Sequence, residues 1–108
     1  MTSFDDRQNT FEKKFAHDQE LAFKITARRA HLLGEWVTEK LGLSGTEGEA
    51  YIQELVKLDC THAGDEEVFG KIRSDFDANG VDQSDHQIRR TMDDMMETAS
   101  QQIATQKG

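Results

Sequence analysis

The chain has 108 residues, enough for one domain with a modest core, since a chain of this size removes only about two-thirds of its unfolded surface from water. Acidic residues outnumber basic ones 21 to 13, and the resulting net charge of -8 excludes a nucleic-acid binder working through a basic face. Cys60 is the single cysteine, so no intramolecular disulfide can form, and no apolar run approaches the roughly 20 residues that cross a bilayer.

Proline is absent, which suits long helices better than turn-rich sheets. The opening stretch MTSFDDRQNTFEKK lacks the apolar centre of a secretory signal, and the expected location is cytoplasmic.

Taken in chain order, residues 1–20 come first. Phe4, Phe11 and Phe15 fall at steps of seven and four, so a helix would carry all three on one face. Ser3 is a candidate N-cap, with Asp5 and Asp6 in the first turn. The remainder is almost entirely polar. At about 25 cal/mol per Å² of apolar surface, three buried phenylalanines contribute several kcal/mol. Ordering the backbone costs about 1–2 kcal/mol per residue, which is more in total. The expectation is a mobile, nascent-helical arm that orders when its Phe face meets a groove on another protein. The same spacing also fits a plain extension of the first helix whose phenylalanines cover the bundle core.

Residues 21–43 carry two interleaved apolar rows, Leu21, Ile25, Leu32, Trp36 and Leu33, Val37, Leu41, a helix with a broad buried stripe. Gly42 to Gly45 stop it. Two overlapping capping boxes follow, Ser44 with Glu47 and Thr46 with Glu49. The second helix buries Tyr51, Ile52, Leu55, Val56 and Leu58 and ends near Gly64, a left-handed cap. Asp65 caps the third, which buries Val68, Phe69, Ile72 and Phe76, pairs Glu67 with Lys71, and stops at Asn79-Gly80. Ser84 and Gln87 form a capping box for the fourth. There Ile88, Met92, Met95, Ala99 and Ile103 recur at steps of four, three, four and four, with fraying from Gln101 onward. The fold class is all-α: a small four-helix bundle over residues 21–104, preceded by the 1–20 arm and followed by a frayed tail at 105–108.

No catalytic constellation emerges. Asp75-Phe76-Asp77-Ala78-Asn79-Gly80 copies the first half of an EF-hand loop, making Asp75, Asp77 and Asn79 the candidates for a metal. Position twelve of that loop, normally a bidentate glutamate, is His86, so a weakly bound divalent cation is the most it supports. An acidic helix end with an Asn-Gly cap is the stronger reading, and a cation-binding helical regulator is the alternative function. His17, His31, His62 and His86 lack zinc spacing, and a lone Cys60 is more often a small hydrophobe than a nucleophile. Met92, Met95 and Met96 fit core packing. Arg28-Arg29 and Arg89-Arg90 read as local salt-bridge donors or partner contacts, with solvated pairs the default. The residues point to a non-enzymatic interaction protein without a cofactor.

Several runs resemble one family. Phe4-Asp5-Asp6-Arg7, Phe11 with Lys14-Phe15-Ala16-His17-Asp18, Glu20-Leu21, Phe23-Lys24 with Ala27-Arg28-Arg29, and Leu32-Leu33-Gly34 with Trp36 occur in order. Glu39 to Leu43, Ala63 to Phe69, Asp75-Phe76-Asp77 and Ser84 to Asp93 follow. Together, across residues 4–103, they resemble the zeta subunit of alphaproteobacterial F-type ATP synthases, an inhibitor of ATP hydrolysis. The resemblance implies a four-helix bundle whose arm enters an interface of the catalytic head and wedges against the central stalk. Reverse rotation is then blocked and synthesis largely spared. The arm residues carried over are Phe4, Asp5, Asp6, Arg7, Phe11, Lys14, Phe15, His17, Asp18 and Glu20. The implied partners are that head and stalk, with the chain peripheral to the inner membrane when bound. Asp18-Gln19-Glu20 and Cys60-Thr61-His62 depart from the family pattern, the first at the end of the arm and the second on the bundle surface.

Overall fold

A computed structural model describes the backbone of residues 3–61 and 65–106 and the side chains of residues 19–61 and 65–105. Four helices, α1 (Ser3–Leu41), α2 (Gly45–Thr61), α3 (Glu66–Ala78) and α4 (Asp85–Gln106), make up the architecture, with no strand among the described residues. Each helix packs on its chain neighbours, and α4 closes the ring by packing back on α1. Arg29 of α1 meets Asp59 near the end of α2, while Gly34 meets Ile52 nearer its start, so these two helices run antiparallel. Arg28 likewise meets Gln102 near the end of α4.

The core is built from the stripes that the spacing predicts. Leu33 and Val37 of α1, Tyr51 and Leu55 of α2, Val68, Ile72 and Phe76 of α3, and Ile88 and Met92 of α4 form one buried cluster. Trp36 leans edge-on against Phe76, ring centroids 5.4 Å apart, and ties α1 to the diagonally opposite α3. Some expected core positions stay only partly buried: Leu21, Ile25 and Leu32 on α1, Val56 and Leu58 on α2, and Phe69 on α3. The described part of α4 is helical beyond Gln101, because Ile103 is still buried and holds its last turns down.

Glycine does specific work at three places. α1 ends with Gly42 at φ +74°, where the Leu43 N–H donates to the Thr38 carbonyl at 2.9 Å and the Gly42 N–H to Glu39 at 3.3 Å. α3 ends the same way. Gly80 sits at φ +68°, the Val81 N–H reaches Phe76 at 2.9 Å, and the Gly80 N–H reaches Asp77 at 3.4 Å. Both are Schellman caps, and both place the following apolar residue, Leu43 or Val81, against the core. Gly34 lets α1 and α2 approach closely: a Cβ there would stand 3.0 Å from Ile52 Cγ1 and 3.2 Å from Ile52 Cα. Since backbone must move to admit it, Gly34→Ala is expected to cost about 1–3 kcal/mol of stability. The denaturant midpoint reads this, and an unshifted midpoint would show that the two helices part there freely.

The caps divide into those that form and those replaced. The Ser84–Gln87 box closes in both directions, the Ser84 N–H donating to Gln87 Oε1 at 2.8 Å and the Gln87 N–H to Ser84 Oγ at 3.1 Å. Neither box expected at α2 forms. Gly45 takes φ +58°, so the residue after Ser44 is not in helical geometry, and α2 opens with the Gly48 N–H on the Ser44 carbonyl. Asp65 stands at the N-cap of α3 without capping it. Its backbone is already helical (φ -84°, ψ -14°), and its carboxylate turns to Arg29. Gly64, expected to cap α2, lies outside the described residues.

Candidate functional site

The helix that carries the arm residues runs without interruption from Ser3 to Leu41. At 1.5 Å per residue its 39 residues span about 58 Å, whereas the longest partner, α4 with 22, spans about 33 Å. Roughly 17 residues of α1 therefore outrun the rest of the bundle. None of residues 19–28 is buried, and the first buried positions among the described residues are Arg29 and Ala30. The arm residues and the first apolar stripe thus lie on one helix, whose buried side chains among the described residues start at Arg29.

Of the arm residues singled out from sequence, Glu20 is exposed and pairs with Lys24 at 3.3 Å, an open helix-surface pair that adds little. The side chains of Phe4, Asp5, Asp6, Arg7, Phe11, Lys14, Phe15, His17 and Asp18 lie outside the described residues. Just beyond Glu20, Phe23 is 59% exposed, the large hydrophobic side chain most open to water among the described residues. It borders a groove of about 580 Å³ between α1, α2 and α4.

Where the helix enters the body, a charged residue takes a core position. Arg29 is one turn before Leu33 and two before Val37 on the same stripe, and it is only 3% exposed. Its Nη2 lies 2.7 Å from Asp59 Oδ1 and its Nη1 2.8 Å from Asp65 Oδ1. Burial works against the guanidinium charge, but the hydrogen bonds and charges of Asp59 and Asp65 outweigh it and hold its pKa above the ordinary value. Asp59 is itself 6% exposed. No buried side-chain polar atom among the described residues lacks a partner. This node joins α1, the end of α2 and the start of α3, and it anchors the root of the projecting helix.

Arg29 and Arg89 are salt-bridge donors, one of the two roles that the sequence offered them, but the solvated default missed the burial of Arg29. The available signal was a pair of opposite charges on apolar stripes: Arg29 four before Leu33, and Asp59 four after Leu55. Arg89 is also engaged, bonded to Glu66 at 2.9 and 3.1 Å and stacked over Phe69 with its guanidinium carbon 3.9 Å from the ring centroid. The Glu67–Lys71 pair does not form. Lys71 lies 3.3 Å from Asp75 and 4.8 Å from the Tyr51 ring centroid, because that side of α3 faces α2.

The cation site does not assemble. Asp75 accepts the Tyr51 hydroxyl at 2.6 Å, Asp77 pairs with Arg73 at 2.7 Å, and Asn79 donates to the Asp75 carbonyl at 2.8 Å while ending the helix. Each side chain serves the fold, and no group of three potential metal ligands occurs among the described residues. Nothing among the described residues supports the alternative of a cation-binding regulator. The Cys60 thiol is half-buried, and burial together with the neighbouring Asp59 charge pushes its pKa up, the opposite of an activated nucleophile. Met92 is buried and Met95 packs on the core, as their spacing predicts.

A family model described as ATPase inhibitor subunit zeta matches residues 1–102. The chain belongs to this family. No curated protein matches it. Membership gives the chain the role of an ATPase inhibitor, with an ATPase as its partner, and it fits the all-helical architecture described above. No described helix is long and apolar enough to cross a membrane.

Proposed function

We propose that this zeta-family chain inhibits ATP hydrolysis by an F-type ATP synthase by inserting the N-terminal part of α1 at an interface of the catalytic head. There it obstructs reverse rotation of the central stalk. The observation that carries this reading is that none of residues 19–28 is buried, yet α1 remains helical through them and back to Ser3.

Helix initiation is the costly step, with a nucleation factor of about 10⁻³, and each further residue adds to a turn already made. In this chain the packed segment from Arg29 to Leu41 supplies that turn. The arm at residues 1–20 therefore continues a helix already nucleated by the packed segment, and holding it helical in a cleft costs less than it would for a free peptide. Phe4, Phe11 and Phe15 act as the apolar anchors. Asp5, Asp6, Arg7, Lys14, His17, Asp18 and Glu20 make the polar contacts. The body at residues 21–104 stays outside the cleft, with 105–108 as a loose tail. Bound in this way, the chain sits in the cytoplasm, peripheral to the inner membrane.

Buried aromatic anchors at interfaces contribute about 2 kcal/mol or more each. Phe11→Ala and Phe15→Ala are each expected to raise the half-inhibitory concentration for ATP hydrolysis by about 30-fold. Unchanged potency in the double variant would show that this face is not the contact.

A further inference from the structure

The groove behind the arm has a chemistry unlike the rest of the surface. Phe23 and Ala27 of α1, Val56 of α2 and Ile103 of α4 make its apolar lining, and Lys24 and Arg28 stand on its α1 rim. The chain carries 21 acidic residues, yet among the described residues none lines this groove. Arg28 hydrogen-bonds only to the neutral Gln102, at 3.2 Å, and makes no ion pair among the described residues. Lys24 has an acid within reach, Glu20, but both are exposed and the pair is readily exchanged for another. His31, also at the groove, lies 3.8 Å from Glu35 of its own helix.

From this juxtaposition of an open apolar lining and a cationic rim in an acidic protein, we propose that the groove is a second docking surface. Its occupant is an acidic amphipathic helix of the ATPase that the chain inhibits. The three-helix setting suits a helix laid in a groove, apolar side chains down and carboxylates toward Lys24 and Arg28. Its place on α1, only a few residues beyond the arm, allows one partner to engage both surfaces at once. Binding through both raises the effective concentration of the arm at its cleft. The inference rests on the arm reading above.

The test uses the full chain in a titration of ATP hydrolysis at low and high salt. Reversing the rim charges (Lys24→Glu with Arg28→Glu) is expected to raise the half-inhibitory concentration by about tenfold at low salt, with weaker salt dependence and full inhibition still reached at saturation. Phe23→Ser, at an exposed position that leaves the core intact, is expected to weaken inhibition in the same direction. In the wild-type complex the methyl NMR signals of Val56 and Ile103 shift. Unchanged potency and salt dependence in the folded charge-reversal variant, with those methyl signals unmoved in the complex, would overturn the proposal. So would shifts that follow the concentration of the free chain alone, since a second copy would then fill the groove. Failure of the arm reading looks different: the Phe11 and Phe15 substitutions would be silent whatever the groove variants do.

Discussion

Arg29→Ala is expected to destabilise the bundle by about 3–5 kcal/mol, a large share of the total for a domain of this size. The loss goes beyond one ion pair. Asp59, 6% exposed, would be left as a buried carboxylate without its cation, and Asp65 would lose its tie to α1. Replacing Arg29 and Asp59 together by apolar residues of similar size is expected to cost far less, because no buried charge is then stranded. Urea denaturation of the two variants separates the effects. If Arg29→Ala unfolds at the wild-type midpoint, the node contributes nothing to stability. Equal loss in both variants would mean that the space Arg29 fills matters, and not its charge.

The same node shows where sequence reading stops. Every buried member of the core cluster lies in a helix whose apolar period was visible, and the Asn79-Gly80 stop and the Ser84–Gln87 box form as their local chemistry dictates. Those signals act within a turn or two, where spacing settles what meets what. The readings that failed depend on partners from distant parts of the chain. Asp65 abandons its cap for Arg29, 36 residues away, and Lys71 turns from Glu67 toward the Tyr51 ring on α2, which leaves Asp75 as its pair one turn on. Asp75 in turn spends its carboxylate on the Tyr51 hydroxyl, which removes the leading residue of the would-be calcium loop. Of the candidate site, the helical spacing of the arm was legible and α1 follows it. The point where α1 enters the core was not, since Leu21 and Ile25 are apolar and in register but have too few neighbours to be buried.

Removal of residues 1–20 is expected to have the largest functional effect. The core cluster, both Schellman caps and the Arg29 node all lie beyond residue 20, so the truncated chain keeps them. Its melting temperature should stay close to that of the full chain. What it loses is the portion of α1 that outruns the bundle, including Phe4, Phe11 and Phe15. A body without a wedge can still touch the ATPase through its groove, but it has nothing to place between the head and the rotating stalk. The direct measurement is ATP hydrolysis by the cognate synthase, titrated in parallel with the intact chain and with residues 21–108. Hydrolysis should be inhibited by the first and proceed at the uninhibited rate with the second, although both give the same helical spectrum and melt alike. Inhibition of equal depth and potency by the folded, truncated chain would contradict a mechanism that works through the arm.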